Sequence, residues 1–130
     1  MSTHGPFATA INCMDGRVQL PVIEWLKNNY HVDYVDAITE PGPIKILAEN
    51  HDMFTIESIK RRVSISTGTH GSKLIAIIGH YDCAGNPADK STQIKQIADA
   101  IRLVRSWNSV ISIIGLWVDE QWKVHPIEHS

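Results

Sequence analysis

The sequence predicts an α/β fold in three layers: a mostly parallel β-sheet flanked by helices on both faces. Short apolar or β-branched runs recur along the chain, segments with apolar residues at helical spacing lie between them, and glycine, proline or asparagine marks most junctions. Strands alternating with helices in this way pair in parallel through right-handed crossovers. A chain of 130 residues, 43% of them hydrophobic, holds enough apolar material for one core, so residues 1–130 are read as one domain.

Phe7–Cys13 is apolar with small residues and reads as a short buried strand, which leaves Cys13 at its C-terminal end ahead of the loop Met14–Pro21. Pro21 suits the first turn of a helix, where the N–H that proline lacks has no partner anyway. Val22, Trp25 and Leu26 then recur at helical spacing until Asn28 and Asn29. Val32–Ile38 reads as a mostly buried strand, stopped by Glu40-Pro41-Gly42-Pro43. Phe54, Ile56, Ile59 and Val63 lie near one face of a helix over Met53–Ser66, with Gly68 and Gly71 at its exit. Lys73–Gly79, containing Leu-Ile-Ala-Ile-Ile, reads as a central strand. After the loop Gly85–Ser91, residues Ile94, Ile97, Ala98, Ile101 and Val104 keep the spacing of a third amphipathic helix. Val110–Val118 is the last β-rich run, and Asp119-Glu120-Gln121 turns the chain into Trp122–Ile127 as a terminal edge hairpin.

Charged residues make up 20% of the chain with a net charge of −2, which gives no basic footprint, so neither a nucleic-acid nor a membrane partner is expected. The longest apolar stretches, Leu74–Ile78 and Val110–Val118, are far shorter than the roughly 20 residues that span a bilayer. The first residues, Met1-Ser-Thr-His-Gly-Pro-Phe, show no basic segment followed by a long apolar one. The expected location is therefore cytoplasmic. Two cysteines far apart in such a chain make no disulfide framework, and their reduced thiols serve either as small buried hydrophobes or for chemistry.

Cys13-Met14-Asp15-Gly16-Arg17 and His80-Tyr81-Asp82-Cys83 follow two of the strands and supply two thiolates and one imidazole, the ligand types zinc prefers. Structural zinc sites usually close with four ligands, whereas catalytic ones leave a position for water or substrate, and no third cysteine exists here to close the set. Asp15 and Arg17 can meet beside such a metal. Held bidentately by Arg17, the Asp15 carboxylate is drawn away from zinc and can accept a hydrogen bond from zinc-bound water. Released, it could become a fourth ligand and shut the site.

The pattern C-x-D-x-R after a first strand, then H-x-x-C after Leu-Ile-Ala-Ile-Ile-Gly, resembles the signature of the β-class carbonic anhydrases. Asp33–Pro43, Ile56–Gly71 and Val110–Ile127 are similar to that family's second strand and turn, following helix and closing strands. The resemblance implies a β-carbonic-anhydrase-like fold and a carbonate dehydratase, in which a zinc hydroxide converts carbon dioxide reversibly to bicarbonate. It assigns Cys13, His80 and Cys83 as Zn2+ ligands and the Asp15–Arg17 pair to orienting the nucleophile. Two thiolate ligands donate more charge than imidazoles would, so activity is expected to favour alkaline pH. β-class sites are usually completed by a neighbouring chain, so the resemblance also implies a homodimer or higher homo-oligomer. The sequence departs from the family at Thr39-Glu40-Pro41-Gly42-Pro43, where Arg-Asn-Ala-Gly-Asn is usual, and at Ala84, where glycine is common. With six residues ahead of Phe7, the family's N-terminal helical arm, which helps build its dimer, is expected to be absent.

Other readings stay open at this level. Cys13 and Cys83 taken singly read as core residues, and Asp15 with Arg17 as a loop-fixing ion pair. Cys13 before a helix could be a nucleophile, although phosphatase-like loops place their arginine six positions on and Arg17 follows by four. The same zinc site could be a scaffold with Asp15 as permanent fourth ligand, or could hydrolyse another small linear substrate such as carbonyl sulfide or carbon disulfide. His4, His31, His51, His70, His125 and His129 read as surface residues, and Trp107, Trp117 and Trp122 as packing within the chain or a subunit contact.

Overall fold

A computed structural model describes residues 5–127. The chain runs β1 (Phe7–Cys13), α1 (Gln19–Tyr30), β2 (Tyr34–Glu40), α2 (Pro43–Glu49), α3 (Met53–Ser64), β3 (Leu74–His80), α4 (Lys90–Trp107), β4 (Ser112–Val118) and β5 (Val124–Ile127). The strands form one five-stranded sheet in the order β2-β1-β3-β4-β5. Ile11 of β1 pairs with Ile38 of β2 on one side and Ile77 of β3 on the other, both in parallel. β4 joins β3 in parallel, and β5 returns antiparallel along β4. The central strand β3 is buried at all seven positions, as expected of a parallel strand covered on both faces.

Alternation along the strands sorts side chains to two cores. Ile11, Ile75, Ile77 and Ile113 face α2, α3 and α4, and meet Ile44, Ile59, Ile97 and Val104. Ala8, Ala10, Ala76, Ile78 and Leu116 face α1 and meet Val22 and Leu26. The result is the expected three-layer α/β arrangement. Gly79 of β3 lets α4 lie close, because a Cβ there would stand 3.0 Å from Ile44, Ile97 and Gln93 at once. Among the described residues no helix is long and apolar enough to cross a membrane.

Several boundaries differ from the sequence expectation. α1 starts at Gln19, so Pro21 is its third residue, still within the turn where a missing N–H is harmless. The Glu40–Pro43 stop also opens a helix: Pro43 takes the first helical position, Ile44 and Leu47 are buried, and Asn50 closes α2 in the left-handed conformation. The helix expected over Met53–Ser66 ends its regular part at Ser64 and widens into a π-helical turn, Ile65–Thr69. Thr9 Oγ1 bonds Ser66 Oγ at 2.6 Å and Ser72 Oγ at 2.8 Å, which fastens this turn under β1. β4 begins at Ser112 and leaves Val110 exposed, because the Asn108 side chain accepts the Val110 N–H and holds a turn there. The terminal hairpin forms, with β5 starting at Val124 because Asp119 gathers the backbone N–H groups of Gln121, Trp122 and Lys123.

Candidate metal centre

β2 and β3 lie on opposite sides of β1, so the chain switches direction across the sheet between β1 and β3. A crevice at such a switch, beyond the strands' carboxyl ends, is where open α/β sheets gather functional groups. Cys13 ends β1 and His80 ends β3, with Cys83 in the turn that follows. Their three ligand atoms lie within 4.8 Å of one another, all buried, with the two sulfurs 3.8 Å apart.

The His80 ring is held in one tautomer. Its Nδ1 lies 2.7 Å from the Tyr81 carbonyl oxygen, an acceptor only, so Nδ1 carries the proton and Nε2 the lone pair. That Nε2 is the one buried side-chain nitrogen or oxygen without a hydrogen-bond partner among the described residues. An orphaned acceptor facing two thiols fits a soft or borderline divalent cation. Backbone N–H groups of Gly42 and Asp15 face the Cys13 sulfur, and those of Gly85 and Asn86 face the Cys83 sulfur. The contact with Cys83 draws the Cys13 thiol well below its ordinary pKa, while the same contact and burial push the Cys83 thiol up. Two sulfurs sharing one proton is a conflict that a bound cation removes. Burial opposes charge on His80, but the Cys13 sulfur and the Tyr81 carbonyl outweigh it and raise its pKa.

Asp15 stands beside this cluster but is turned to Arg17. Arg17 Nε donates to Oδ1 at 3.0 Å and Nη2 to Oδ2 at 2.7 Å, and the Arg17 backbone N–H also reaches Oδ1 at 2.9 Å. These bonds hold the Asp15 carboxyl down at about 2. Asp15 caps a single 3₁₀ turn, Gly16–Val18, and that turn explains how a spacing of two residues brings carboxylate and guanidinium face to face. All five residues singled out from the sequence are therefore gathered at one end of the sheet, with Cys13, His80 and Cys83 together and the Asp15–Arg17 pair alongside.

The structure adds residues that the motifs do not contain. Gln93 of α4 is buried beneath His80, accepting the His80 N–H and donating to the His80 and Ala88 carbonyls. Asn12 accepts the Cys13 N–H and donates to the Val18 carbonyl, and Gln19 donates to the Cys13 carbonyl at 2.6 Å. Gly42, at φ 62, meets the loop after Cys83 so closely that a Cβ would lie 2.8 Å from Asn86. The polar residues carried no distinct sequence signal, since each matters through a partner distant in sequence or through the turn after β1. Of the other histidines, His70 pairs with Asp36 and His125 with Asp119, while His31 and His51 are exposed. His4 and His129 lie outside the described residues. Trp117 is buried, and Trp107 and Trp122 are partly so.

A family model described as "Putative carbonic anhydrase" matches residues 3–128. The comparison with curated proteins returned no match. Among solved structures, carbonic anhydrase from Streptococcus mutans is similar with a TM-score of 0.67 at 17% identity, covering 98% of this chain and 88% of that one. β-Carbonic anhydrase isoform I from Trichomonas vaginalis has a TM-score of 0.63 at 18% identity, with 92% and 81% covered. The apo form of a carbon disulfide hydrolase has a TM-score of 0.62 at 13% identity, with 95% and 84% covered. At these identities the likeness to solved structures is one of fold.

Proposed function

The chain belongs to the carbonic anhydrase family that matches it over residues 3–128, and from that membership we propose that it catalyses the reversible hydration of carbon dioxide to bicarbonate with zinc held by Cys13, His80 and Cys83. The observation that carries the reading is the buried, unpartnered His80 Nε2 facing two sulfurs in a cluster 4.8 Å across. Zinc in such a site supplies Lewis acidity that makes water nucleophilic near neutral pH and stabilises the negative charge of the product. The chain's own residues supply the rest. Tyr81 fixes the histidine tautomer, the N–H groups of Gly42, Asp15, Gly85 and Asn86 support the sulfurs, and the ionised Asp15 offers a hydrogen-bond acceptor that orients the attacking water. Arg17 keeps that acceptor off the metal, which favours an open coordination position over Asp15 as a permanent fourth ligand.

The purified protein is expected to carry about one zinc per chain, and Cys83→Ser to lose most of it, as elemental analysis will read. Stopped-flow carbon dioxide hydration by the zinc-loaded protein is the test of activity. Arg17→Ala is expected to keep the zinc and lose activity by about 100-fold or more, the scale of a misplaced orienting group. Absence of hydration at every pH from 6 to 9 would overturn the enzyme reading. The likeness to a carbon disulfide hydrolase supports a second substrate class at the same centre, and hydrolysis of carbon disulfide or carbonyl sulfide without hydration of carbon dioxide would establish it. Reduced thiols are a condition of this site, which supports a reducing compartment such as the cytosol.

A further inference from the structure

Four non-glycine residues among those described have left-handed backbones: His31, Asn50, Asp82 and Trp122. His31 and Asn50 close α1 and α2, where that conformation satisfies the last carbonyls. Asp82, at φ 58, and Trp122, at φ 62, end no helix. Aspartate tolerates this region, but for a bulky side chain such as tryptophan it is an outlier, because Cβ crowds the following carbonyl. Both residues place a group on Arg17. Asp82 Oδ2 accepts from Nη1 at 3.3 Å, the Asp82 carbonyl accepts from Nη2 at 3.1 Å, and the Trp122 ring lies 4.4 Å from Cζ across the guanidinium face. With the two bonds to Asp15, four of the guanidinium's five N–H donors are engaged and one face is covered. Left-handed backbone retained at two separate turns, unfavourable at Trp122, and converging on one side chain points to a task for that side chain's placement.

We propose that Asp82 and Trp122 are positioning residues of the metal centre: they fix the Arg17 guanidinium and thereby keep the Asp15 carboxylate turned away from Cys13, His80 and Cys83. The inference rests on the zinc reading of that cluster. The two contributions are unequal. The Asp82 side chain is 68% exposed, so its charge pairing with Arg17 is heavily screened by water. The Asp82 carbonyl depends on the backbone alone, and the Trp122 ring both stacks on the guanidinium and shields it. Trp122 is thus the stronger hold, and the turn between β4 and β5 controls the open coordination position from outside the ligand loops. When Trp122 is lost, Arg17 regains its rotamers, and the carboxylate two residues from Cys13 takes the position that an incoming anion would occupy.

Cobalt(II), substituted for zinc in the full chain, reports its ligand set by visible absorption, and azide serves as the incoming anion. Wild type is expected to bind cobalt and to show a spectrum that azide changes. Trp122→Gly, which keeps the left-handed turn and removes the ring, is expected to bind cobalt with an altered spectrum and an azide dissociation constant at least tenfold higher. Asp82→Gly, which keeps the carbonyl, is expected to shift it about twofold. Adding Asp15→Asn to Trp122→Gly is expected to restore azide binding, since the competing carboxylate is gone. Trp122→Asn tolerates the same backbone and repeats the comparison should the glycine variant fold poorly. Azide binding by the Trp122 variants equal to wild type overturns the proposal, as does a loss that Asp15→Asn fails to rescue. Wild type that takes up no cobalt would instead remove the metal reading on which the proposal stands.

Discussion

Gln93 sits almost fully buried under His80, with its amide spent on three backbone groups of the candidate centre. Gln93→Leu would bury the same volume but leave the His80 N–H and carbonyl without partners. Each unsatisfied backbone group costs about 1–3 kcal/mol, so denaturant unfolding is expected to show a loss of about 2 kcal/mol or more. Loosening the residue that carries the imidazole is also expected to weaken metal binding about 10–100-fold, measured by competition with a chelator. Unchanged metal affinity in a folded variant would show that Gln93 supports the fold and not the ligand. That Cys13, His80 and Cys83 come together with the Asp15–Arg17 pair alongside was legible in the sequence, because their types and short spacings are uncommon together. Gln93 was not, since its partner lies thirteen positions away on another element and only the close approach allowed at Gly79 brings the two together.

The same distinction holds between elements. The four parallel strands and three of the helices were readable from apolar runs and periodicity, although β2 starts two residues later than Val32–Ile38 and, as an edge strand, buries only Ile38 and not most of its length. α2 was masked by its own start signal: Pro41 and Pro43 read as a stop, although Pro43 at the first helical position, Ile44 and Leu47 three apart, and Asn50 at the end together describe a short helix. The loop ahead of α2 interlocks with the loop after Cys83. A Cβ on Gly85 would lie 2.5 Å from the Pro41 backbone carbon, a contact that no side-chain rotation relieves. Gly85→Ala is therefore expected to destabilise the protein by about 1–3 kcal/mol and to lower metal affinity, because the N–H groups facing both sulfurs belong to these loops. α4 is capped by Asp89, whose carboxylate accepts the Thr92 N–H at 2.8 Å, and that bond holds its pKa below the ordinary value. A depressed folded-state pKa contributes stability that is present above the unfolded value, near 4, and is lost as pH falls through the folded one. Helix circular dichroism and melting temperature are accordingly expected to decline below about pH 4, and Asp89→Asn to remove that part of the pH dependence while keeping a cap at neutral pH.

For the whole molecule, the sheet's two edges are unlike. β5 is four residues long and carries Pro126, which cannot donate to a further strand. β2 presents seven residues with no strand beyond it among the described residues, so we expect a second copy to cover that side with twofold symmetry. Light scattering at micromolar concentration should give the mass of a dimer or a multiple of it, and a monomer would refute the expectation. Cys13 and Cys83 are 70 positions apart and meet only when β3 has docked beside β1. Bringing together chain ends that far apart costs roughly 4 kcal/mol of entropy before any strand contact offsets it. A cation gripping both sulfurs is then a clasp across the chain, and the native state should gain resistance to denaturant as free metal rises. It is also a clock. Cobalt present during refolding would develop its sulfur charge-transfer absorption only when those distant strands come together, so the colour should appear with the sheet and after the helices, marking the moment at which β3 closes against β1.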